Sequence, residues 1–155
     1  MIKLLRVDHR LLHGQVAFSW LSAINSDCIL IANDGVMTDD VRKLAISLAK
    51  PPQAKLVIKS IDDSIASINS GKTDKYKLFV IVESVEDAHK LIVNCPTFKN
   101  LNLGGAKRKE NSIKLGSIFY VTPHEIDLLN DLVDKGIEID IRQIPSDSKE
   151  MYKKK

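Results

Sequence analysis

The sequence contains few cysteines and no long apolar stretch. Its 155 residues include only two cysteines, Cys28 and Cys95, which is too few for a disulfide framework or a zinc site. Both lie in apolar patterns, and we expect two buried free thiols. No apolar run approaches the roughly 20 residues that a membrane-spanning helix needs. Charged residues at Lys3 and Arg6 come too early for the apolar segment of a signal peptide. We therefore expect a cytoplasmic protein.

Aromatic residues are also scarce, and the charge is only mildly positive. They make up 5% of the chain, and the formal net charge is +3. Nucleic-acid-binding domains typically have a basic stripe or aromatic side chains on which bases stack, and neither pattern is present. We therefore expect no nucleic-acid partner. Part of the positive charge lies in residues 151–155, for which we expect a frayed basic tail. A mildly basic surface favours docking to an acidic protein or to a membrane-bound complex.

Short apolar runs alternate with segments of helical periodicity along one domain, residues 1–150. The predicted strands are Ile2–Val7, Cys28–Ala32, Lys55–Lys59, Lys77–Val82, Asn100–Leu103, Ile113–Val121 and Ile137–Arg142. The predicted helices are Gly14–Ile24, Asp39–Lys50 capped by Thr38, Ile61–Ser70, Val85–Asn94 capped by Ser84, and one from the capping box Thr122–Glu125 to Gly136. This alternation predicts an α/β fold: a single doubly wound, mainly parallel sheet of about seven strands with helices on both faces.

The chemically richest segment, Arg6–Val16, joins the first predicted strand to the first predicted helix. Backbone N–H groups at a helix start have no partner and attract anions. Arg6 and Arg10 add forked donors that suit a phosphate group. The segment therefore predicts a phosphate site around His13, whose imidazole is a candidate phosphoryl carrier.

The roles of the remaining residues in this segment are less uniquely determined. We expect the N–H groups of Gly14 and Gln15 to bind the phosphate, because these residues begin the helix. Asp8 has two candidate roles: it holds the two guanidinium groups in place, or it bonds the nitrogen of the His13 ring that is not phosphorylated. The sequence leaves both roles open.

A metal site is an alternative interpretation of the same segment. His9 and His13 have the i, i+4 spacing of a zinc-binding helix. However, Arg10 between them would repel a cation, and the glutamate that follows the first histidine of metalloprotease motifs is absent. We therefore expect neither a metal nor another cofactor.

Three segments of the chain resemble one protein family. Arg6–Val16 is similar to the signature Arg-x-Asp-x-Arg-Leu-x-His-Gly-Gln-Val of the IIB component of the mannose/fructose/sorbose class of sugar phosphotransferase systems. Leu101–Gly105 resembles the Asn-x-Gly-Gly strand and loop of that family, and Val121–Pro145 resembles its C-terminal part. One departure is His9, where many members have a second aspartate. The other key positions of the signature are matched.

The resemblance implies a cytoplasmic phosphocarrier that associates peripherally with a membrane transporter, a protein-N(pi)-phosphohistidine–sugar phosphotransferase. A IIA protein or domain would donate a phosphoryl group to His13, at Nδ1, and His13 would pass it to a sugar held by membrane IIC and IID components. A homo-oligomer is compatible with this role. The catalytic residues would be His13, Arg10 and Asp8, and the phosphate-binding residues Arg6, Gly14 and Gln15. Further candidates for lining the site are Gly104-Gly105, Ser117 and Thr122.

Two other functions remain as alternatives. A regulatory relative would use phosphorylation of His13 to signal sugar supply and would not pass the group on. A nucleotide-binding α/β domain would need a Gly-x-Gly-x-x-Gly turn after the first strand, where this chain has the segment Asp8–Gly14.

Overall fold

The computed structural model describes all residues from Met1 to Lys155. The strands are β1 (Ile2–Asp8), β2 (Cys28–Ala32), β3 (Lys55–Lys59), β4 (Leu78–Val82), β5 (Asn100–Gly105), β6 (Ile113–Leu115), β7 (Phe119–Val121), β8 (Glu138–Ile141) and β9 (Glu150–Met151). The helices are α1 (Gly14–Ile24), α2 (Asp40–Leu48), α3 (Ile61–Asn69), α4 (Val85–Asn94) and α5 (Pro123–Asp134). Seven strands form one sheet in the order β3-β2-β4-β1-β5-β8-β9. All neighbours in this sheet are parallel except β9, which runs antiparallel to β8 at the edge.

Helices cover both faces of the sheet, as the alternating pattern predicted. Helices α1 and α2 pack on one face with a core cluster that includes Trp20, Leu21 and Ile46. Helices α3, α4 and α5 pack on the other face. The chain therefore leaves β1 and β4, which are neighbours, towards opposite faces. Ligands of doubly wound folds bind in the crevice that such a divergence opens at the carboxyl ends of the strands.

Several of the predicted local signals are confirmed. Ser84 caps α4, with its hydroxyl accepting a hydrogen bond from the N–H of Asp87. The capping box of α5 is complete, because Thr122 and Glu125 each accept a hydrogen bond from the other's backbone N–H. Gly136 follows this helix with a φ of +85°, a left-handed conformation that glycine adopts without strain. The two cysteines are buried and free.

Two predicted elements are corrected. The second helix is capped by Asp39, whose carboxylate accepts from the N–H of Arg42, and not by Thr38, which belongs to a short 3₁₀ turn. The predicted strand Ile113–Val121 is a small antiparallel hairpin of β6 and β7, separate from the main sheet. Gly116 breaks it with a φ of +57°. The seventh strand of the sheet is β9, which the sequence pattern did not indicate.

The C-terminal residues are docked, and the prediction of a frayed tail is wrong. After β9 the N–H of Tyr152 donates to the carbonyl of Ile139 at 2.8 Å, and its hydroxyl donates to Asn130 at 2.7 Å. Lys154 forms an ion pair with Asp134 at 2.7 Å. The free edge of β8 takes up this segment because a strand edge offers unpaired backbone groups. None of the helices is both long enough and apolar enough to cross a membrane.

Candidate active site

A tight turn connects β1 to α1 and brings the signature residues together. The N–H of Leu11 donates to the carbonyl of Asp8 at 2.8 Å. Leu11 has a φ of 57°, in the left-handed region that few residues other than glycine adopt. Leu11 and Leu12 are both buried in the core cluster beneath α1. This anchoring offsets the backbone strain and fixes His13 just before the start of the helix.

Asp8 is the centre of the site. Its carboxylate is fully buried, and Oδ1 accepts from the backbone N–H and from Nε of Arg10 at 3.0 Å and 3.2 Å. Oδ2 accepts from Nη2 of Arg6 at 3.1 Å and faces Nε2 of His13 at 3.0 Å. Burial by itself would raise the pKa of Asp8, but the hydrogen bonds from His13 and Arg10 and the charge of Arg6 outweigh it and hold the pKa well below its usual range. Asp8 therefore makes both kinds of contact that the sequence left open: it holds the guanidinium groups of Arg6 and Arg10, and it bonds a nitrogen of the His13 ring.

The His13 ring has its two nitrogens in different environments. An ionised carboxylate only accepts hydrogen bonds, so the contact with Asp8 requires the proton on Nε2. Nδ1 then carries the lone pair, and it has no hydrogen-bond partner within the chain. His13 occupies the N-cap position of α1 but makes no side-chain capping bond. The only side-chain hydrogen bond of the ring is thus the one to Asp8, which leaves Nδ1 unbonded.

The start of α1 provides open space and backbone N–H donors next to the His13 ring. The backbone N–H groups of Gly14 and Gln15 lie in the first turn, where a helix leaves its N–H groups without intrahelical partners. Both residues are exposed, and nothing lies within 4 Å of the position that a Cβ on Gly14 would take. The first turn contains no acidic side chain that would compete with an anion.

The two arginines of the signature have different positions. Arg10 remains 39% exposed while its Nε bonds Asp8, so part of its guanidinium faces solvent beside His13. Arg6 is 1% exposed. Its Nη1 donates to Oδ1 of Asn102 at 2.7 Å, and its guanidinium lies 5.6 Å from the ring centre of Trp20. Burial lowers the pKa of Arg6 and Asp8 opposes that shift. In this arrangement Arg6 is bonded to Asp8 and Asn102, and its role as a phosphate ligand stays a prediction.

A polar network that the sequence interpretation missed supports Arg6 from below. Asn102 donates to Asp140 at 3.2 Å, and Arg142 donates to the same carboxylate at 2.9 Å. Asn102 and Asp140 are buried in neighbouring strands at matching register. Asn102 is a polar residue in an otherwise apolar strand. This pattern could have indicated the network, since a buried polar residue needs a hydrogen-bond partner.

The two glycines at the end of β5 lie against the signature residues. A Cβ on Gly104 would overlap the guanidinium of Arg6. A Cβ on Gly105 would make only ordinary contacts, 3.5 Å from Oδ1 of Asp8 and from Nδ1 of His9. The carbonyl of Gly105 also accepts from the N–H of His9 at 3.0 Å. The predicted strand and loop therefore lie directly beside the turn after β1.

The other candidate residues lie outside this group. Nδ1 of His9 stands 3.9 Å from Oδ1 of Asp8 without a hydrogen bond, and His9 lines a neighbouring cavity of about 250 Å³. Lys107 and Arg108 line the same cavity. Thr122 is occupied in capping α5, and Ser117 is exposed in the β6–β7 turn. No group of three or more His, Cys, Asp or Glu residues is arranged to hold a metal ion.

The chain is similar to known proteins over nearly its whole length. The family described as the sorbose subfamily IIB component of the PTS system matches residues 2–154. A probable phosphotransferase enzyme IIB component of Streptococcus pyogenes is 31% identical over 156 residues, covering 96% of this chain and 95% of that protein. The mannose-specific EIIAB component of Escherichia coli is 26% identical over 149 residues, which is 96% of this chain and 46% of that protein. The crystal structure of the IIBSor domain of the sorbose permease from Klebsiella pneumoniae superposes with a TM-score of 0.90 at 27% identity, covering 97% of this chain and 92% of that chain.

Proposed function

Because this chain belongs to the sorbose subfamily of IIB components of the sugar phosphotransferase system, we propose that His13 is its phosphoryl carrier. In the first half-reaction the bond between phosphorus and a donor imidazole nitrogen breaks while a bond to Nδ1 of His13 forms. In the second half-reaction that bond breaks, and the phosphoryl group passes to a sugar hydroxyl oxygen, which loses its proton. The chain is then a protein-N(pi)-phosphohistidine–sugar phosphotransferase.

The observation that carries this proposal is the hydrogen bond between Asp8 and Nε2 of His13. It assigns the proton to Nε2 and leaves the lone pair of Nδ1 available for attack. Phosphorylation of Nδ1 gives the ring a positive charge, which the ionised carboxylate of Asp8 stabilises. A fixed ring orientation also reduces the entropy lost in reaching an in-line geometry.

Charge on the transferring phosphoryl group would be stabilised from two sides. The exposed part of the Arg10 guanidinium supplies positive charge next to the ring. The N–H groups of Gly14 and Gln15 supply dipoles at the start of α1. No cofactor is needed for this chemistry, because positioning and charge stabilisation account for most of the catalysis of phosphoryl transfer.

The proposed partners follow from the half-reactions. The donor is the phosphohistidine of a IIA protein or domain, and the fused IIA and IIB parts in the name of the Escherichia coli relative support this pairing. The acceptor is a sugar held by membrane IIC and IID components, to which this chain would bind peripherally. Lys107 and Arg108 have no ion-pair partner and border the cavity next to the site, which favours an anionic, phosphorylated partner.

Transfer of labelled phosphate tests the proposal. The chain is incubated with phosphoenolpyruvate, enzyme I, HPr and a IIA protein, and the label should be acid-labile and alkali-stable. His13→Ala should remove it, whereas the matched control His9→Ala should keep it. Label retained in His13→Ala would refute the assignment. Adding sugar and membranes that contain IIC and IID should then discharge the label, and a stable label at this step would favour the regulatory alternative.

A further inference from the structure

Positive charge is concentrated in two segments of the chain. Residues 107–117 and 149–155 contain eight lysines and arginines but only two glutamates, a net charge of +6. The whole chain carries +3, so all other residues together carry −3. The two segments are separated by more than thirty residues in the sequence. The positive charge is therefore not spread over the surface.

The fold brings parts of these segments together. A groove of about 650 Å³ lies between the β6–β7 hairpin and the segment that contains β9. Its lining includes Lys114 and Gly116 from the hairpin and Lys149, Met151 and Lys153 from the C-terminal segment. We call this surface the basic groove. The docking of the C-terminal residues along β8 thus creates a surface that a frayed tail would not form.

The cations of the basic groove are not used by the fold. Lys114, Lys149 and Lys153 are exposed and form no ion pair within the chain. Lys154 differs, because it pairs with Asp134 at 2.7 Å. Two apolar side chains on the same two strands are also exposed, Ile113 at 47% and Met151 at 41%. Unpaired lysines next to exposed apolar side chains are a combination typical of surfaces that bind membranes.

We propose that the basic groove binds the anionic headgroups of a lipid surface. The cations that line it are lysines, whose flexible ammonium groups suit a diffuse layer of negative charge. They outnumber its one acidic lining residue, Glu150, and the groove contains no arginine to form directed bonds with an acidic protein. Its aromatic residue, Tyr152, is buried and bonded to Asn130, so no ring is available for stacking nucleic-acid bases. The proposal rests on the proposed function, which places the chain beside membrane components.

The position of the groove is compatible with phosphoryl transfer. His13 follows β1, and β5 and β8 lie between β1 and β9 in the sheet. Neighbouring strands are about 4.8 Å apart, so the groove lies roughly 14 Å to the side of the site. Lipid contact along this edge would therefore leave Nδ1 of His13 accessible to a protein partner.

Sedimentation with lipid vesicles tests the proposal. The full chain is mixed at low ionic strength with vesicles of phosphatidylglycerol and phosphatidylcholine, and in parallel with vesicles of phosphatidylcholine alone. We expect binding only to the anionic vesicles. The triple variant Lys114→Gln, Lys149→Gln, Lys153→Gln should lower the partition coefficient about a hundredfold. The control variant Lys72→Gln, Lys77→Gln, Lys99→Gln has the same net charge but leaves the groove unchanged, and it should bind nearly as wild type does.

Two results would overturn the proposal. One is wild-type binding to anionic vesicles that is no tighter than to neutral ones. The other is an equal loss of binding in both triple variants, which would show that only net charge matters. Phosphorylation of His13 by IIA in the absence of vesicles is measured on the same samples. Its failure would count against the proposed function alone, whereas its retention in the groove variant shows that the variant is folded.

Discussion

Arg6 and Arg10 lie four residues apart, and both donate hydrogen bonds to the carboxylate of Asp8, yet their surroundings are opposite. Arg6 is sealed beneath the site by Asn102 and Trp20. Arg10 lies at the surface, with part of its guanidinium in solvent. The difference shows that one short signature contains two layers. The lower layer, Arg6 with Asn102 and Trp20, fixes Asp8 from within the fold, and the upper layer, Arg10, is open to solvent.

The largest effect should come from removing the lower layer. Arg6→Ala leaves the buried carboxylate of Asp8 without one of its cations and leaves Oδ1 of Asn102 without its donor. Breaking a buried pair in this way costs about 3–5 kcal/mol of unfolding free energy. We expect a large fall in Tm and in the denaturation midpoint. A stability within about 1 kcal/mol of wild type would show that the lower layer is not structural.

Removing the upper layer should change the rate and spare the fold. Arg10→Ala should slow phosphoryl transfer about a hundredfold, the usual cost of one preorganised donor, while changing stability by less than about 1 kcal/mol. Arg10→Lys should recover only part of the rate, since an ammonium keeps the charge but not the planar fork. Rapid-quench measurements of both half-reactions, with melts of each variant, provide the check. A wild-type rate in both half-reactions would remove Arg10 from the mechanism.

The neighbouring glycines offer a smaller and sharper test. Gly104→Ala places a methyl group where the Arg6 guanidinium lies, and overpacking of this kind costs about 1–3 kcal/mol. Gly105→Ala meets its nearest atoms at 3.5 Å and should be close to neutral. Denaturant unfolding of the two variants compares adjacent positions in one strand. Equal stabilities would mean that Arg6 shifts without losing its bonds.

The smallest effect concerns Asp87, whose surroundings raise the pKa of its carboxyl group, whereas those of Asp8 lower it. Burial, followed by the charges of Glu83 and Asp34, raises the pKa of Asp87 to about 6. The folded state therefore binds this proton more tightly than the unfolded state, and stability falls as pH rises from about 4 to about 6. Asp87→Asn should stabilise the protein by about 1 kcal/mol above pH 7, allowing for partial exposure, and the gain should vanish near pH 4. Melting curves across this range measure it, and a gain independent of pH would contradict the assigned cause.

Much of the fold was accessible from local sequence signals. The apolar run of β4 and the capping box at Thr122 and Glu125 are short-range patterns, and the structure confirms them. The docking of Tyr152 was not predicted, because it depends on residues distant in the sequence. The break at Gly116 was missed although a glycine inside an apolar run is a local signal for a turn. A run of lysines also resembles a solvated tail when its contacts across the sheet are unknown.

The candidate site was likewise predictable only where it depends on residues that are close together in the sequence. Arg6, Asp8, Arg10 and His13 could be found together because the first turn collects them within one segment. Their separation into two layers could not be found, because it depends on Asn102 and Gly104 from another strand. Charge and spacing identify the residues of a site, whereas burial is decided by the tertiary fold.

Trp20 gives this protein a built-in optical reporter. It is the only tryptophan of the chain, and its indole N–H donates to the carbonyl of Gln143 at 2.9 Å. Two guanidinium groups, those of Arg6 and Arg142, lie within 6 Å of its ring centre. Tryptophan emission, excited at a wavelength that the three tyrosines do not absorb, therefore comes from one side chain beside the layer that holds Asp8. Emission recorded during phosphorylation reads out whether that layer moves or stays still, without any added dye or label.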